Sequence, residues 1–278
     1  MSVSGPRPFP SRDQISVVTA VIVLAYVLAR FLVLPARAVT ATLFGSALGF
    51  ELSGPFVMMV FAAGLISAGS ELLIRGHPQF AGRPARRTVI HWILPGATAL
   101  VLGSALNHTP TDQMWWLGLA GSVVALVVVL FAEYLVVDPA DPRHDAAALA
   151  LSALAYLLAL ILFILLRHLG ARAWVSALIG GGVAAALALR LFALKLAPLW
   201  RSAFYAGVVG LICAEVIWAL SPLALPAIAA ALLALIPFYL CQGLAEHHVL
   251  GRLTRRVWIE YGAVGSLLLI LALVWGRA

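Results

Sequence analysis

The sequence predicts an all-α fold, a polytopic transmembrane bundle of about nine helices, and three observations lead there. The 278 residues are 63% hydrophobic and 10% charged, with a mean hydropathy of +1.05. That is more apolar surface than a soluble domain can bury. Long apolar segments recur along the whole chain, each near the roughly 20 residues that cross a hydrocarbon core about 30 Å thick. Arginines gather in every second gap between them. The segments are continuously apolar, which favours helices over barrel strands, because barrel strands alternate.

Residues 1–13 form a polar tail ahead of one transmembrane domain over 14–278. The first segment, 14–34, precedes Ala36-Arg37-Ala38, a small-x-small pattern like a signal-peptide cleavage site. Its apolar stretch is about twice the usual length of a signal core, which favours a retained anchor. Residues 38–52 are apolar but short, and Thr40, Thr42, Ser46 and Glu51 interrupt them; they are either re-entrant or a tenth span. The remaining spans are read as 55–74, 89–106, 114–137, 146–167, 173–195, 202–220, 224–245 and 257–275.

Cytoplasmic loops are enriched in Lys and Arg, which orients these spans in an inner membrane. Arg75, Arg83, Arg86 and Arg87 follow the second segment and Arg143 follows the fourth. Lys195 and Arg201 bracket the exit of the sixth, and Arg252, Arg255 and Arg256 follow the eighth. The gaps Asn107–Gln113 and Ser221–Leu223 carry neither Lys nor Arg, although Arg167 and Arg172 break the pattern once. With 38–52 re-entrant, Arg7 and Arg12 are inside and Arg30 and Arg37 outside; with it spanning, the pairs exchange sides, so charge counting ties. The net charge of +7 reflects topology. It does not point to a nucleic-acid partner, because the arginines form no single aromatic-interleaved face. The expected partners are the lipid bilayer and either another membrane protein or a second copy of the chain.

Internal spacing suggests a repeat. Glu51, Glu133 and Glu215 lie 82 residues apart, each with a proline shortly after it, and Trp92, Trp174 and Trp258 lie 82 and 84 apart. Units 38–106, 114–195 and 202–275 would then be three inverted three-helix repeats, an arrangement common in transporters. Coincidence in a low-complexity apolar chain is the competing explanation.

Three stretches, His91-Trp92-Ile93-Leu94-Pro95, Ala132-Glu133-Tyr134-Leu135-Val136-Val137-Asp138-Pro139 and Gly251-Arg252-Leu253-Thr254-Arg255-Arg256, resemble an uncharacterised family of multi-pass membrane proteins from Chloroflexota. The resemblance runs from about Thr40 to Tyr261. It implies a membrane class and a lineage, and no activity.

Chemistry is sought where charge lies at membrane depth, since an Asp, Arg or Lys at a helix centre costs about 2.5 to 3.5 kcal/mol on insertion scales. Glu133, Arg190 and Glu215 meet that criterion as candidates for transport or ion pairing. Glu133 and Arg190 lie at similar depth and could pair across helices four and six; the alternative is snorkelling to the headgroups. Glu215 has no charged neighbour one turn away on its helix and is expected to be buried and protonated. A second constellation, Glu71, His91, Glu246, His247 and Glu260, joined by His248, gathers at the cytoplasmic boundary. His and Glu can ligate zinc, and His can bind haem iron. Adjacent His247 and His248 point about 100° apart on a helix, however, and no HExxH, CxxC or CxxCH occurs, so no metal or cofactor is expected. Cys213 and Cys241 lie inside apolar segments and suggest no redox pair. No phosphate loop and no GxSxG elbow is present. Lys195, at a helix end, does not suit a retinal Schiff base. Gly180-Gly181-Gly182 lies mid-helix, where small residues admit a neighbour or a bend.

Three functional classes remain: a small-molecule or ion carrier, favoured; a non-catalytic subunit or assembly partner of a larger membrane complex; and a membrane enzyme acting on a lipid-linked substrate. A deep cavity reaching Glu215 favours the first, a flat apolar flank the second, and convergence of His91, Glu133 and His247 the third.

Overall fold

The computed structural model describes residues 12–32, 37–43, 46–52, 54–77, 88–110, 112–195 and 199–276. Arg7, Arg83, Arg86 and Arg87, on which part of the charge pattern rests, lie outside the described residues. Among the described residues, nine helices are long and apolar enough to cross a membrane: α1 (Arg12–Phe31), α2 (Gly54–Arg75), α3 (Ile93–His108), α4 (Gln113–Val136), α5 (His144–His168), α6 (Ala173–Lys195), α7 (Leu199–Leu220), α8 (Ala227–Val249) and α9 (Arg255–Gly276). A 3₁₀ turn, Val89–Trp92, leads into α3. The chain is a multi-pass membrane protein with an all-α bundle.

Where residues 38–52 were expected as a re-entrant segment or a tenth span, the described residues are two antiparallel strands, β1 (Arg37–Leu43) on β2 (Ser46–Leu52), in the register Arg37↔Leu52 to Leu43↔Ser46. Val39, Thr40 and Thr42 are β-branched and favour extended backbone. Strands of seven residues fall short of the roughly 9 to 11 that span a membrane. Among its described residues, the expected repeat 38–106 holds two paired strands and two long helices in place of three helices. Packing divides the chain into two compact units, Met1–Ala147 and Ala148–Ala278.

In unit 1, α1, α2, α3 and α4 form a four-helix bundle, with α1 and α2 both packed on α4. Val18, Ile22 and Tyr26 repeat every four residues on α1 and meet Ile66, Ala99, Trp115, Leu119 and Leu126 in the core. The Tyr26 hydroxyl, buried in this core, donates to the Ala99 carbonyl at 2.9 Å, as a polar group away from water must. Asp112 caps α4 by accepting from the Met114 backbone N–H at 2.9 Å. Arg30, at the end of α1, donates to the carbonyls of Asn107 and Thr109 at 3.5 and 3.4 Å. That contact puts the end of α1 beside the α3–α4 turn, so Arg12 begins at the Arg75 end of the bundle. It resolves the tie left by charge counting in favour of a first helix that starts on the arginine-rich side.

In unit 2, α6 and α7 approach most closely. A Cβ on Gly181 would sit 2.8 Å from the Gly210 carbonyl oxygen, and one on Gly210 would sit 2.7 Å from the Gly181 carbonyl oxygen. Gly181 with Ala185 and Gly210 with Ala214 are small-xxx-small pairs that let two backbones touch in a membrane. The Tyr261 ring of α9 fills the space over Gly243 of α8. Gly251 adopts φ 65° and closes α8 in a Schellman turn: Arg252 N–H donates to His247 O and Gly251 N–H to His248 O.

Candidate functional site

Three polar constellations occur within the two units. In unit 1, at the ends of α2 and α4, Glu133 is fully buried and its Oε2 lies 2.7 Å from His91 Nδ1. The 3₁₀ turn fixes this geometry. Ser70 Oγ donates to the His91 carbonyl at 3.1 Å, and Trp92 Nε1 donates to Glu71 Oε2 at 2.7 Å. Glu71 also pairs with Arg75 one turn on, the local pair expected from the i,i+4 spacing. Just beyond α2, His77 stacks edge-on against Tyr134. Burial pushes the His77 imidazole below its usual range, and Asp138 acts weakly the other way.

In unit 2, at the ends of α6 and α8, a hydrogen-bonded chain crosses the helices. The Tyr156 hydroxyl donates to Gln242 Oε1, Gln242 Nε2 donates to Glu246 Oε2 at 3.3 Å, and Lys195 Nζ reaches Glu246 Oε1 at 2.6 Å. His247 lies edge-on to Tyr261, while Glu260 forms an exposed pair with Arg256. The cytoplasmic cluster read from the sequence is thus divided: Glu71 and His91 belong to unit 1, and Glu246, His247 and Glu260 to unit 2. His91 meets Glu133, two of the three residues whose convergence would favour an enzyme, while the third, His247, belongs to unit 2.

The third constellation lies at the other end of unit 2. A cavity of about 820 Å³ opens among the end of α5, the start of α6, the end of α7 and the start of α8, and Glu215 lines it. Glu215 is exposed, not buried as the sequence reading expected. It makes no hydrogen bond or ion pair among the described residues. The cause lies one residue earlier: Ala214 is the contact that meets Gly181 of α6, so the next side chain, about 100° around the helix, leaves that interface and reaches the cavity. Trp218, three residues on, shares the cavity wall and is 61% exposed. Arg167 also lines the cavity, but its guanidinium donates to the carbonyls of Ser221, Leu223 and Leu225 in the α7–α8 turn. Arg190, the remaining candidate, is 1% exposed on α6 of unit 2, whereas Glu133 belongs to unit 1.

A family model matches residues 34–275. The chain belongs to DUF5656, a family of proteins of unknown function. No curated protein and no solved structure matches it. All three constellations fall inside the DUF5656 span; Tyr26 and Arg30 precede it.

Sequence reasoning about this DUF5656 chain missed Arg167, Tyr156, Gln242 and Trp218 as site residues. For Arg167 a signal existed. It broke the positive-inside pattern, and the reason is structural: it and Arg30 each end a helix and satisfy carbonyls of a neighbouring turn on the arginine-poor side. Such carbonyls lack intrahelical partners and attract cationic donors. Chemically, the cavity offers an available carboxylate, an indole face and apolar walls including Phe163 and Leu166. The two buried carboxylates, Glu133 and Glu246, already have basic partners.

Proposed function

We propose that the protein is a carrier of a small molecule or ion in the inner membrane, with the unit 2 cavity as its substrate site. One observation carries this reading: a volume of about 820 Å³ reaches Glu215, a carboxylate without a hydrogen bond or ion pair among the described residues. Intramembrane ionisable groups at water-filled cavities mark substrate and ion pathways. By the positive-inside rule the loops with Arg75, Arg143, Lys195 and Arg252 face the cytoplasm, and the cavity opens outward. A Chloroflexota lineage, which the sequence resemblance implies, is part of this proposal.

A second reading, a non-catalytic subunit of a larger assembly, draws on α9, whose Trp258, Ile259, Leu267, Ile270 and Val274 are each more than half exposed. Lipid covers such a face equally well, so the cavity takes precedence.

The test uses protein reconstituted into proteoliposomes and currents recorded on a solid-supported membrane with amines, amino acids, sugars and carboxylates. A current for one of these classes in the wild type, absent in Glu215→Gln, is expected. No current with any class would contradict carriage and favour the subunit reading.

A further inference from the structure

Units 1 and 2 repeat the same construction. Arg30 at the end of α1 holds carbonyls of the α3–α4 turn, and Arg167 at the end of α5 holds carbonyls of the α7–α8 turn. The fourth helices of the two series end alike, in Ala132-Glu133-Tyr134-Leu135-Val136 and Ala245-Glu246-His247-His248-Val249. In each, the glutamate is buried and paired with a base, His91 in one and Lys195 in the other. In these two features α1–α4 resemble α5–α8, although α1 packs closely on α2 whereas α5 makes no comparable contact with α6.

The correspondence gives the cavity a counterpart. Between the ends of α1 and α3 and the start of α4, unit 1 retains only about 20 Å³, bordered by Tyr26, Arg30, Gly103 and Trp115. Trp115, in the first turn of α4, fills the place. It is 1% exposed and sets its ring edge-on to Phe31 at 5.8 Å. In unit 2 the start of α8 lines the cavity with the small side chains of Ala230, Ala231 and Ala234, which leave room for an occupant.

We propose that this occupant is an organic cation with an apolar body, bound in unit 2 alone. This inference rests on the cavity being the substrate site. The polar group left available there is a carboxylate, because Arg167 keeps its charge but commits donors to three carbonyls of the α7–α8 turn, while Glu215 has no partner among the described residues. Glu215 and Trp218 are three residues apart on one helix face, so a cation against the carboxylate also lies near an indole ring, the combination that binds substituted ammonium groups. A hard metal ion needs several oxygen ligands at once, and among the described residues Glu215 is the only carboxylate on the wall. The remaining wall, Phe163, Leu166 and Ile217, suits an apolar body.

The experiment measures binding, not transport, so its failure is separable from that of the carrier reading. Purified full-length protein in phosphatidylglycerol nanodiscs is titrated with tetraphenylphosphonium and, in parallel, with tetraphenylborate, which has nearly the same shape and the opposite charge. Saturable binding of the phosphonium is expected, weakened about tenfold or more in Glu215→Gln and lost in Ala230→Trp, which fills the cavity with an indole ring. Glu215→Gln changes an exposed side chain and keeps the test valid should Ala230→Trp not fold. Equal binding of the two ions, or phosphonium binding unchanged in Glu215→Gln, overturns the proposal. A lipid headgroup amine and a free amine share this chemistry. Competition by added phosphatidylethanolamine assigns the site to the lipid, and its absence to a free amine. Binding without proteoliposome currents keeps the site and refutes carriage.

Discussion

Gly181→Ala is a small change at the place that aims Glu215. The new Cβ lies 2.8 Å from the Gly210 carbonyl oxygen and 2.7 Å from Ala214 Cβ, where ordinary contact begins at 3.4 Å. Helices α6 and α7 must part by about 0.6 Å, a gap that forfeits a quarter to a half of the dispersion energy of the atoms lining it. Overpacking of this kind costs about 1 to 3 kcal/mol. Gly182 provides the control on the same helix, since nothing lies within 4 Å of its added Cβ. Gly182→Ala should be neutral or gain about 0.5 to 1 kcal/mol from reduced backbone freedom. Thermal unfolding of both variants in one detergent reads the difference. Gly181→Ala lowers Tm and Gly182→Ala does not. Equal shifts would mean that α6 and α7 do not touch backbone to backbone, and Glu215 would lose the contact that turns it to the cavity.

Two further outcomes follow from the same geometry. Arg167→Leu removes the guanidinium donor from the Ser221, Leu223 and Leu225 carbonyls, of which Leu223 keeps the Leu225 N–H, and should cost about 1.5 kcal/mol, the low end for charged hydrogen bonds because water can partly replace it. Arg167→Lys should recover little, since an ammonium cannot fork; full recovery in unfolding assays would show that charge alone matters. For His77, whose pKa lies below its ordinary 6.5 through burial, the unfolded chain takes up the proton first as pH falls. The native state is thus unpenalised above about pH 6.5 and loses stability below it. Wild type should lose more Tm than His77→Phe between about pH 7.5 and about pH 5.5, and parallel losses would contradict the assignment.

The spans were legible because length and apolarity alone identify a membrane helix, and all nine appear within a few residues of their expected bounds. Residues 38–52 were not, because a short apolar run can be strand or helix by periodicity; Val39, Thr40 and Thr42 were the unused hint. The even spacing of Glu51, Glu133 and Glu215 drew attention to three units. The likeness of Ala132-Glu133 to Ala245-Glu246 and of Arg30 to Arg167 became visible only once hydrogen bonds showed that these residues do the same work. That Glu215 has no charged neighbour one turn away on its helix is plain in the sequence, but its exposure was not readable. An apolar helix looks the same in sequence whether a face meets lipid, protein or a cavity. The cavity is made of what alanines at 230, 231 and 234 leave out, and an absence of volume has no motif.

The claim that Glu215 faces an aqueous cavity open to the outside is tested most directly by cysteine accessibility. In a background carrying Cys213→Ala and Cys241→Ala, Glu215→Cys and Val216→Cys are treated on intact cells with a membrane-impermeant, cationic methanethiosulfonate. Val216 is the next residue on α7 at the same depth and does not line the cavity. Fast modification of Glu215→Cys from outside, with Val216→Cys spared, is the result predicted here. Equal reactivity at the two positions, or an inert Glu215→Cys, would place this carboxylate outside any water-filled site and contradict the functional reading.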